Sequence, residues 1–72
     1  RVAAFLLEMA DDEEPATVHL AMTRQDIADY LGLTIETVSR TLSQFERDQV
    51  IILPSTRHVI LEDRDALLAL ND

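Results

Sequence analysis

TRQDIADYLGLTIETVSRTLSQFERDQ, which runs from Thr23 to Gln49, is the most informative stretch of this chain. It predicts two short helices joined by a tight turn. Thr23 is a suitable N-cap for the first helix, and Asp26, three residues later, completes a variant of the capping box. Gly32 ends that helix, because glycine tolerates the left-handed conformation found just past a helix end.

The second helix is predicted to begin after its N-cap, Thr34, and to run from Ile35 to about Arg47. Its apolar residues recur at i, i+4 and i+7, which places them on one side of the helix. The residues of both helices and their turn that we expect to face inward are Ile27, Ala28, Leu31, Leu33, Val38, Leu42 and Phe45.

The spacing of Ala28, Gly32 and Val38 is typical of a helix-turn-helix. The small residue lets the first helix approach the second, the glycine makes the turn, and the β-branched residue fills the crossing point. Many unrelated helix pairs supply such a trio, so the second helix must carry the rest of the argument.

The side of the second helix opposite its apolar stripe carries a polar row. Glu36, Arg40, Ser43 and Arg47 follow one another at i, i+4, i+7 and i+11, and Ser39 flanks them. Such a row near a helix N-terminus is suited to reading base edges in a major groove. The alternative interpretation is an ordinary solvated helix face with a Glu36–Arg40 pair, because such pairs are common on helices.

The run TRQDIADYLGLTIETVSRTL, residues 23–42, resembles the helix-turn-helix of the CRP/FNR superfamily of bacterial transcription regulators. The run ETVSR, residues 36–40, is more similar to the FNR and FixK branch than to the cAMP-receptor branch, which typically has glycine at the position of Ser39. The similarity extends over nearly the whole chain. It implies a winged helix-turn-helix, mostly α with small β elements: a three-helix core, a β-hairpin wing and a C-terminal helix.

The resemblance also implies function. It implies binding to double-stranded DNA at TTGA-type half-sites and a homodimer in the full-length protein. The absence of cysteine fits a cytoplasmic location. The acidic run of residues 11–14 could bind a cation or RNA polymerase, but a solvated loop is the better interpretation because like charges in a row repel. In the superfamily a sensor β-barrel and a dimerisation helix precede this domain. The sequence begins directly on helical residues without a cap, so we interpret residues 1–72 as one domain of a longer regulator. No cofactor is expected in it.

Glu36 and Arg40 are the leading candidates for base contacts, with Ser39 and Ile35 beside them to meet a thymine methyl or a neighbouring base. Arginine pairs bidentately with guanine O6 and N7, and glutamate accepts from cytosine N4. The candidates for DNA backbone contacts, through side chains or through amides at helix starts, are Thr23, Arg24, Thr34, Thr37, Ser43, Arg47, Arg57 and His58. For Arg57 and His58, an ordinary surface hairpin is an equally good interpretation.

Charge argues against nucleic-acid binding. The net charge of the 72 residues is −8, whereas DNA-binding domains usually carry a basic footprint. The distribution weakens this objection, since five acids fall in residues 8–14 and charges beyond the Debye length of ~8 Å are largely screened. Four of the arginines lie in or near the proposed face: Arg24, Arg40, Arg47 and Arg57.

Other classes find little support in the sequence. There is no cysteine, hence no disulfide framework or thiolate metal site, and no run approaches the ~20 apolar residues of a membrane span. No phosphate-binding glycine loop, HExxH or GxSxG motif suggests an enzyme. A winged helix used for protein contacts remains the main alternative, and a small-molecule or redox sensor is a weaker one.

The remaining elements follow from patterning. A first helix over Arg1–Ala10 should bury Val2, Phe5, Leu6 and Met9, and residues 11–15 should form an acidic loop. A strand over Thr17–Leu20 should leave His19 exposed. The wing is predicted as strands Val50–Leu53 and His58–Leu61 around the turn Pro54–Thr56. Gln49 should be left-handed at some cost, or else the second helix must end in a different way. A last helix, Arg64–Leu70, should be capped by Asp63 and bury Leu67, Leu68 and Leu70.

Overall fold

Four helices and three short strands follow one another in the computed structural model, which describes residues 1–70. Half of these residues lie in helices, and the sheet is small. The elements are α1 (Val2–Met9), β1 (Thr17–His19), α2 (Arg24–Leu31), α3 (Ile35–Arg47), β2 (Ile51–Ser55), β3 (His58–Leu61) and α4 (Arg64–Ala69).

The corner between α2 and α3 forms as its sequence predicts. The Thr23 hydroxyl accepts from the Asp26 amide at 3.1 Å, and the Asp26 carboxylate accepts from the Thr23 amide at 3.2 Å, which completes the capping box. Gly32 is left-handed, with φ of 70°. The Leu33 amide donates to the Ala28 carbonyl at 2.8 Å, so the end of α2 is closed on itself. Leu33 is only partly buried, rather than buried as predicted.

α3 is anchored along its apolar stripe. Val38, Leu42 and Phe45 are all buried, and Val38 has no exposed surface. The Thr34 hydroxyl caps the helix by accepting from the Thr37 amide at 3.1 Å. Because this side of α3 is fixed in the core, the opposite side is held outward in a defined orientation.

The end of α3 confirms the prediction for Gln49, whose φ is 60°. The Val50 amide donates to the Phe45 carbonyl at 2.9 Å, and the Gln49 amide donates to the Glu46 carbonyl at 3.1 Å. This pair of bonds is a Schellman motif, which places a left-handed residue between helix and strand. Glutamine adopts that conformation here instead of the usual glycine or asparagine.

The three strands form one antiparallel sheet in the order β1-β3-β2. β2 and β3 make the wing, and their register shifts between Ile52 and Ser55. The predicted turn at Pro54–Thr56 begins two residues too early, because β2 continues to Ser55 and the turn is Thr56–Arg57. β2 is an edge strand, where a proline such as Pro54 needs no ladder partner for its missing N–H.

The core lies between the helices and the sheet, where Phe5, Leu6, Ile27, Ile51 and Leu67 are almost wholly buried. One methionine and two leucines that were predicted to face inward are exposed. Met9 is 46% exposed because it is the last residue of α1, where the chain leaves the core. Leu68 and Leu70 are 50% and 46% exposed, since α4 is so short that only Leu67 reaches inward.

Candidate nucleic-acid interface

The outer face of α3 presents the predicted polar row. Glu36, Arg40, Ser43 and Arg47 are all exposed. Glu36 Oε2 lies 3.7 Å from Arg40 Nη2, and the two side chains are 81% and 77% exposed. An ion pair this open to solvent contributes little to stability, so both groups can rearrange onto a partner at small cost.

Ile35 and Ser39 lie on one flank of this row and are also exposed, Ile35 by 42%. At this exposure a large part of the Ile35 side chain is open to a partner. The structure thus places all four candidates for base contacts, Ile35, Glu36, Ser39 and Arg40, on neighbouring positions of the first turns of α3.

The N-terminus of α3 carries a small hydroxyl pair. The Thr34 hydroxyl donates to the Thr37 hydroxyl at 2.9 Å while it accepts the Thr37 amide. Thr37 lies on the other flank of α3, beside a groove of about 440 Å³ that is also lined by Val2 and Phe45. Thr34 thus lies at the start of α3, and the exposed Thr37 lies between the row that holds Arg40 and this groove.

Arg47 and its neighbours are tied along the last turns of α3. Arg47 Nη2 donates to Gln44 Oε1 at 2.6 Å, and Gln44 Nε2 donates to both carboxylate oxygens of Asp48 at 3.1 Å. All three side chains are exposed. The hydrogen bond to Gln44 orients the guanidinium of Arg47 at the surface, two helical turns from Arg40 on the same face of α3.

The wing turn lies against the segment that precedes α2. Arg24 Nη1 donates to the Thr56 carbonyl at 3.2 Å, and Arg57 Nη1 donates to the Ala21 carbonyl at 3.3 Å. Both arginines were predicted as DNA backbone contacts, and each has an intramolecular partner in the structure. Sequence patterning missed these partners because backbone carbonyls more than thirty residues away leave no signal in a single sequence.

His58 lies on β3 and pairs across the sheet with His19 of β1. The two imidazole rings meet edge to face, with centroids 5.0 Å apart. The Nδ1 atom of His58 is 2.8 Å from the Ser55 hydroxyl. Sequence reasoning treated His19 as a lone exposed histidine, and only the strand register reveals its contact.

The acidic loop after α1 is organised by Asp11. Its carboxylate accepts the Thr17 amide at 3.0 Å and the Glu13 amide at 3.1 Å, and His19 Nε2 lies 3.7 Å away. The hydrogen bond from Thr17 is the main cause that lowers the pKa of Asp11. At least one of the loop carboxylates thus has a structural role.

Other kinds of site are not formed by residues 1–70. Within that range no three histidine, cysteine or acidic side chains converge in a way that would hold a metal ion. None of the helices in the described part of the chain is both long and apolar enough to cross a membrane.

Comparison with known proteins is consistent across sequence and structure. A family model for the Crp-like helix-turn-helix domain matches residues 1–70. The nitrogen fixation regulation protein FixK of Azorhizobium caulinodans is 53% identical over 99% of this chain and 31% of its own length. The transcriptional activator protein FnrL of Cereibacter sphaeroides is 50% identical over 86% of this chain and 25% of its own length.

Among solved structures, FixK2 from Bradyrhizobium japonicum matches with a TM-score of 0.86 and 44% identity, over 99% of this chain and 36% of that one. The chain thus spans between a quarter and just over a third of the length of these relatives. The winged helix-turn-helix predicted from the sequence is confirmed. The chain belongs to the Crp-like helix-turn-helix family, within the FixK- and FNR-like branch of the CRP/FNR transcription regulators.

Proposed function

We propose that this domain binds double-stranded DNA in a sequence-specific manner on behalf of a bacterial transcription regulator. The observation that carries the proposal is the exposed Glu36–Arg40 pair at the start of α3, on a helix whose other side is fixed by Val38 and Phe45. A rigid helix that presents a guanidinium and a carboxylate on its outer face is what direct reading of a major groove requires.

In this proposal α3 enters the major groove of a TTGA-type half-site. Arg40 donates two hydrogen bonds to guanine O6 and N7, and Glu36 accepts from cytosine N4 of the same base pair while it orients Arg40. Ile35 and Ser39 face a thymine methyl or the neighbouring base. The 3.7 Å separation of the Glu36 and Arg40 groups supports a joint action of this kind.

Phosphate contacts would set the register of the helix on the duplex. Thr23 and Thr34 stand at the starts of α2 and α3, where amides without intrahelical partners attract anions. On α3 and the wing, the exposed polar groups proposed for the same role are Ser43, Arg47 and His58. The half-buried Arg24 at the start of α2 is proposed for it too.

The intact regulator is proposed to be a cytoplasmic homodimer of which residues 1–72 form one domain. Relatives three to four times longer than this chain support the presence of further domains. RNA polymerase is a candidate partner for the acidic segment of residues 8–14.

A direct test is a mobility-shift titration of this domain with a TTGA palindrome and with a shuffled duplex of the same composition. We expect the palindrome to be bound more tightly at every salt concentration. Equal affinity for the two duplexes would contradict the proposal.

A second candidate function is contact with a protein through the same winged helix. The net charge of −8 favours it, because this charge opposes approach to DNA and suits a basic protein surface. Absence of any shift with either duplex at about 50 mM salt, where phosphate contacts are strongest, would favour this candidate.

A further inference from the structure

The tip of the wing is joined to the segment before α2 by hydrogen bonds from both sides. The Leu20 amide donates to the Arg57 carbonyl at 2.7 Å, and Arg57 Nη1 donates to the Ala21 carbonyl at 3.3 Å. From the other side, Arg24 Nη1 donates to the Thr56 carbonyl at 3.2 Å. Arg57 thus uses both its backbone and its side chain to hold the same short segment.

The ladder of the wing does not by itself fix the position of this tip. Ile51 and Ile52 pair regularly with β3, but the register shifts before Ser55, so the last part of β2 lacks continuous pairing. Arg57 lies just beyond this irregularity, in the turn. β1 pairs with β3 as far as His58, and the tip itself is held against the segment before α2 by the Leu20 backbone bond and by the side-chain bonds of Arg57 and Arg24.

We propose that Arg57 is a positioning residue of the DNA interface, and that it acts by fixing the wing against the start of α2 rather than by contacting a phosphate. The proposal rests on the DNA-binding function proposed above. With Arg57 in place, His58 on the wing and Arg24 on α2 keep a constant relation to α3. Without it, the wing must be ordered at the moment of binding, at a cost in affinity.

Salt dependence separates a positioning role from a phosphate contact. Each phosphate neutralised by a cationic side chain adds about −0.9 to the slope of log K against log salt concentration. An arginine that donates to a protein carbonyl before and after binding adds nothing to that slope. Arg47 also has an intramolecular acceptor, but that acceptor is the exposed side chain of Gln44, which can rotate away, so Arg47 is the comparison in which we expect the phosphate contribution.

The experiment compares Arg57→Ala, Arg47→Ala and the control Arg64→Ala, which changes an exposed arginine on α4. Affinity for the TTGA palindrome is measured from about 50 to 200 mM salt. We expect Arg57→Ala to weaken binding about 2- to 10-fold with an unchanged slope, as the loss of the one side-chain hydrogen bond to Ala21 implies. Arg47→Ala should make the slope of log K against log salt concentration less steep by about 0.9. Arg64→Ala should leave both the affinity and this slope unchanged.

A slope that falls in Arg57→Ala as far as it does in Arg47→Ala would overturn the proposal, and so would an affinity equal to that of the parent protein. Amide hydrogen exchange gives a readout that needs no DNA. Arg57→Ala should speed exchange at Leu20, whose partner is the Arg57 carbonyl, and leave Ile27 in α2 unchanged. Unchanged amide exchange at Leu20 would overturn the positioning role of Arg57 even where the domain binds DNA. Faster exchange in a domain that fails to discriminate the palindrome would instead contradict the DNA-binding function alone.

Discussion

Arg40 and Arg47 share one face of α3, but we assign a base contact to Arg40 and a phosphate contact to Arg47. Arg40 has only the weak pair with Glu36, whereas Arg47 lies at the last turn, beside Gln44. We expect Arg40→Ala to cost about 1–3 kcal/mol at the cognate site and little on random DNA. Arg47→Ala should weaken binding to all sequences alike, because a phosphate contact carries no sequence information.

Competition titrations with cognate and shuffled duplexes measure both effects. Arg64→Ala is the control, since Arg64 lies on α4 and should change neither affinity. Equal loss of cognate and random affinity in Arg40→Ala would show that Arg40 contacts the backbone, and the assignment of base contacts to the start of α3 would fail.

Two residues of the described chain adopt positive φ, and they predict opposite results on substitution. Gln49→Gly should raise the free energy of unfolding by about 0.5 kcal/mol, because relief of left-handed strain slightly exceeds the entropy that glycine adds to the unfolded chain. Gly32→Ala should lower it by about 1 kcal/mol. An added Cβ at Gly32 meets nothing within 4 Å, so this cost is conformational rather than steric crowding.

Urea midpoints of the two variants and the parent protein measure these changes, provided that the slopes of the transitions agree. A lower midpoint for Gln49→Gly would show that the side chain of Gln49 stabilises the turn by more than its strain costs.

At the scale of elements, the loop between α1 and β1 predicts a pH dependence. The Asp11 carboxylate accepts two backbone amides and its pKa is lowered, so the folded state favours the charged form. This stabilisation is present above about pH 4, the ordinary range for aspartate, and is lost as the pH falls through the folded pKa. Asp11→Ala should therefore be less stable than the parent protein near neutral pH.

Thermal melts from neutral to acid pH test this expectation. The difference between Asp11→Ala and the parent should shrink as the pH falls below the ordinary range for aspartate and through the lowered folded pKa of Asp11, since the carboxyl then becomes protonated in both states. Asp12→Ala is the matched control, because Asp12 is exposed in the same loop and makes neither of the two bonds to Asp11. Curves for Asp11→Ala and the parent that stay parallel into acid would contradict the role of Asp11.

Elements whose ends are determined locally were predictable from the sequence. Thr23, Thr34 and Asp63 cap their helices as expected, and Gly32 and Gln49 end theirs in left-handed conformations, since caps depend on residues within a turn. The helical periodicity correctly placed Val38 and Phe45 in the core. It therefore also predicted the exposed polar row on the opposite face of α3.

Features that depend on the third dimension were not predictable in the same way. Periodicity shows which side of a helix is apolar but not how far the core extends, so Met9 and Leu70 were wrongly placed inside. The turn of the wing was displaced because pairing to β3, not the local preference of Pro54, determines where β2 ends. The carbonyl partners of Arg24 and Arg57 arise from the packing of the wing.

Considered as a whole molecule, the domain combines a short reading surface with an unfavourable overall charge. The six arginines are outnumbered by fourteen acidic residues. Long-range attraction to DNA should therefore be weak. One domain contacts a single half-site, so we expect the isolated domain to bind near the non-specific range of ~10⁻⁴–10⁻⁶ M at physiological salt.

Duplication of the domain in the correct geometry should restore tight binding. Two helix-turn-helix domains related by a two-fold axis contact half-sites about 34 Å apart, one turn of the duplex. Linking two copies makes the second contact intramolecular, which is worth a factor of ~10²–10⁴ in apparent affinity.

Specific recognition by α3 can be measured as the affinity of a fused dimer, two copies of this domain on a parallel coiled coil, for TTGA palindromes of varied spacing. We expect binding about 10²–10⁴ times tighter than that of the single domain when the half-sites are one turn apart. The gain should vanish when half a turn, about 5 base pairs, is inserted, because the second α3 then faces the wrong side of the duplex. Equal affinity of the dimer at both spacings would contradict specific recognition by α3, and tight binding by the single domain would contradict the requirement for two copies.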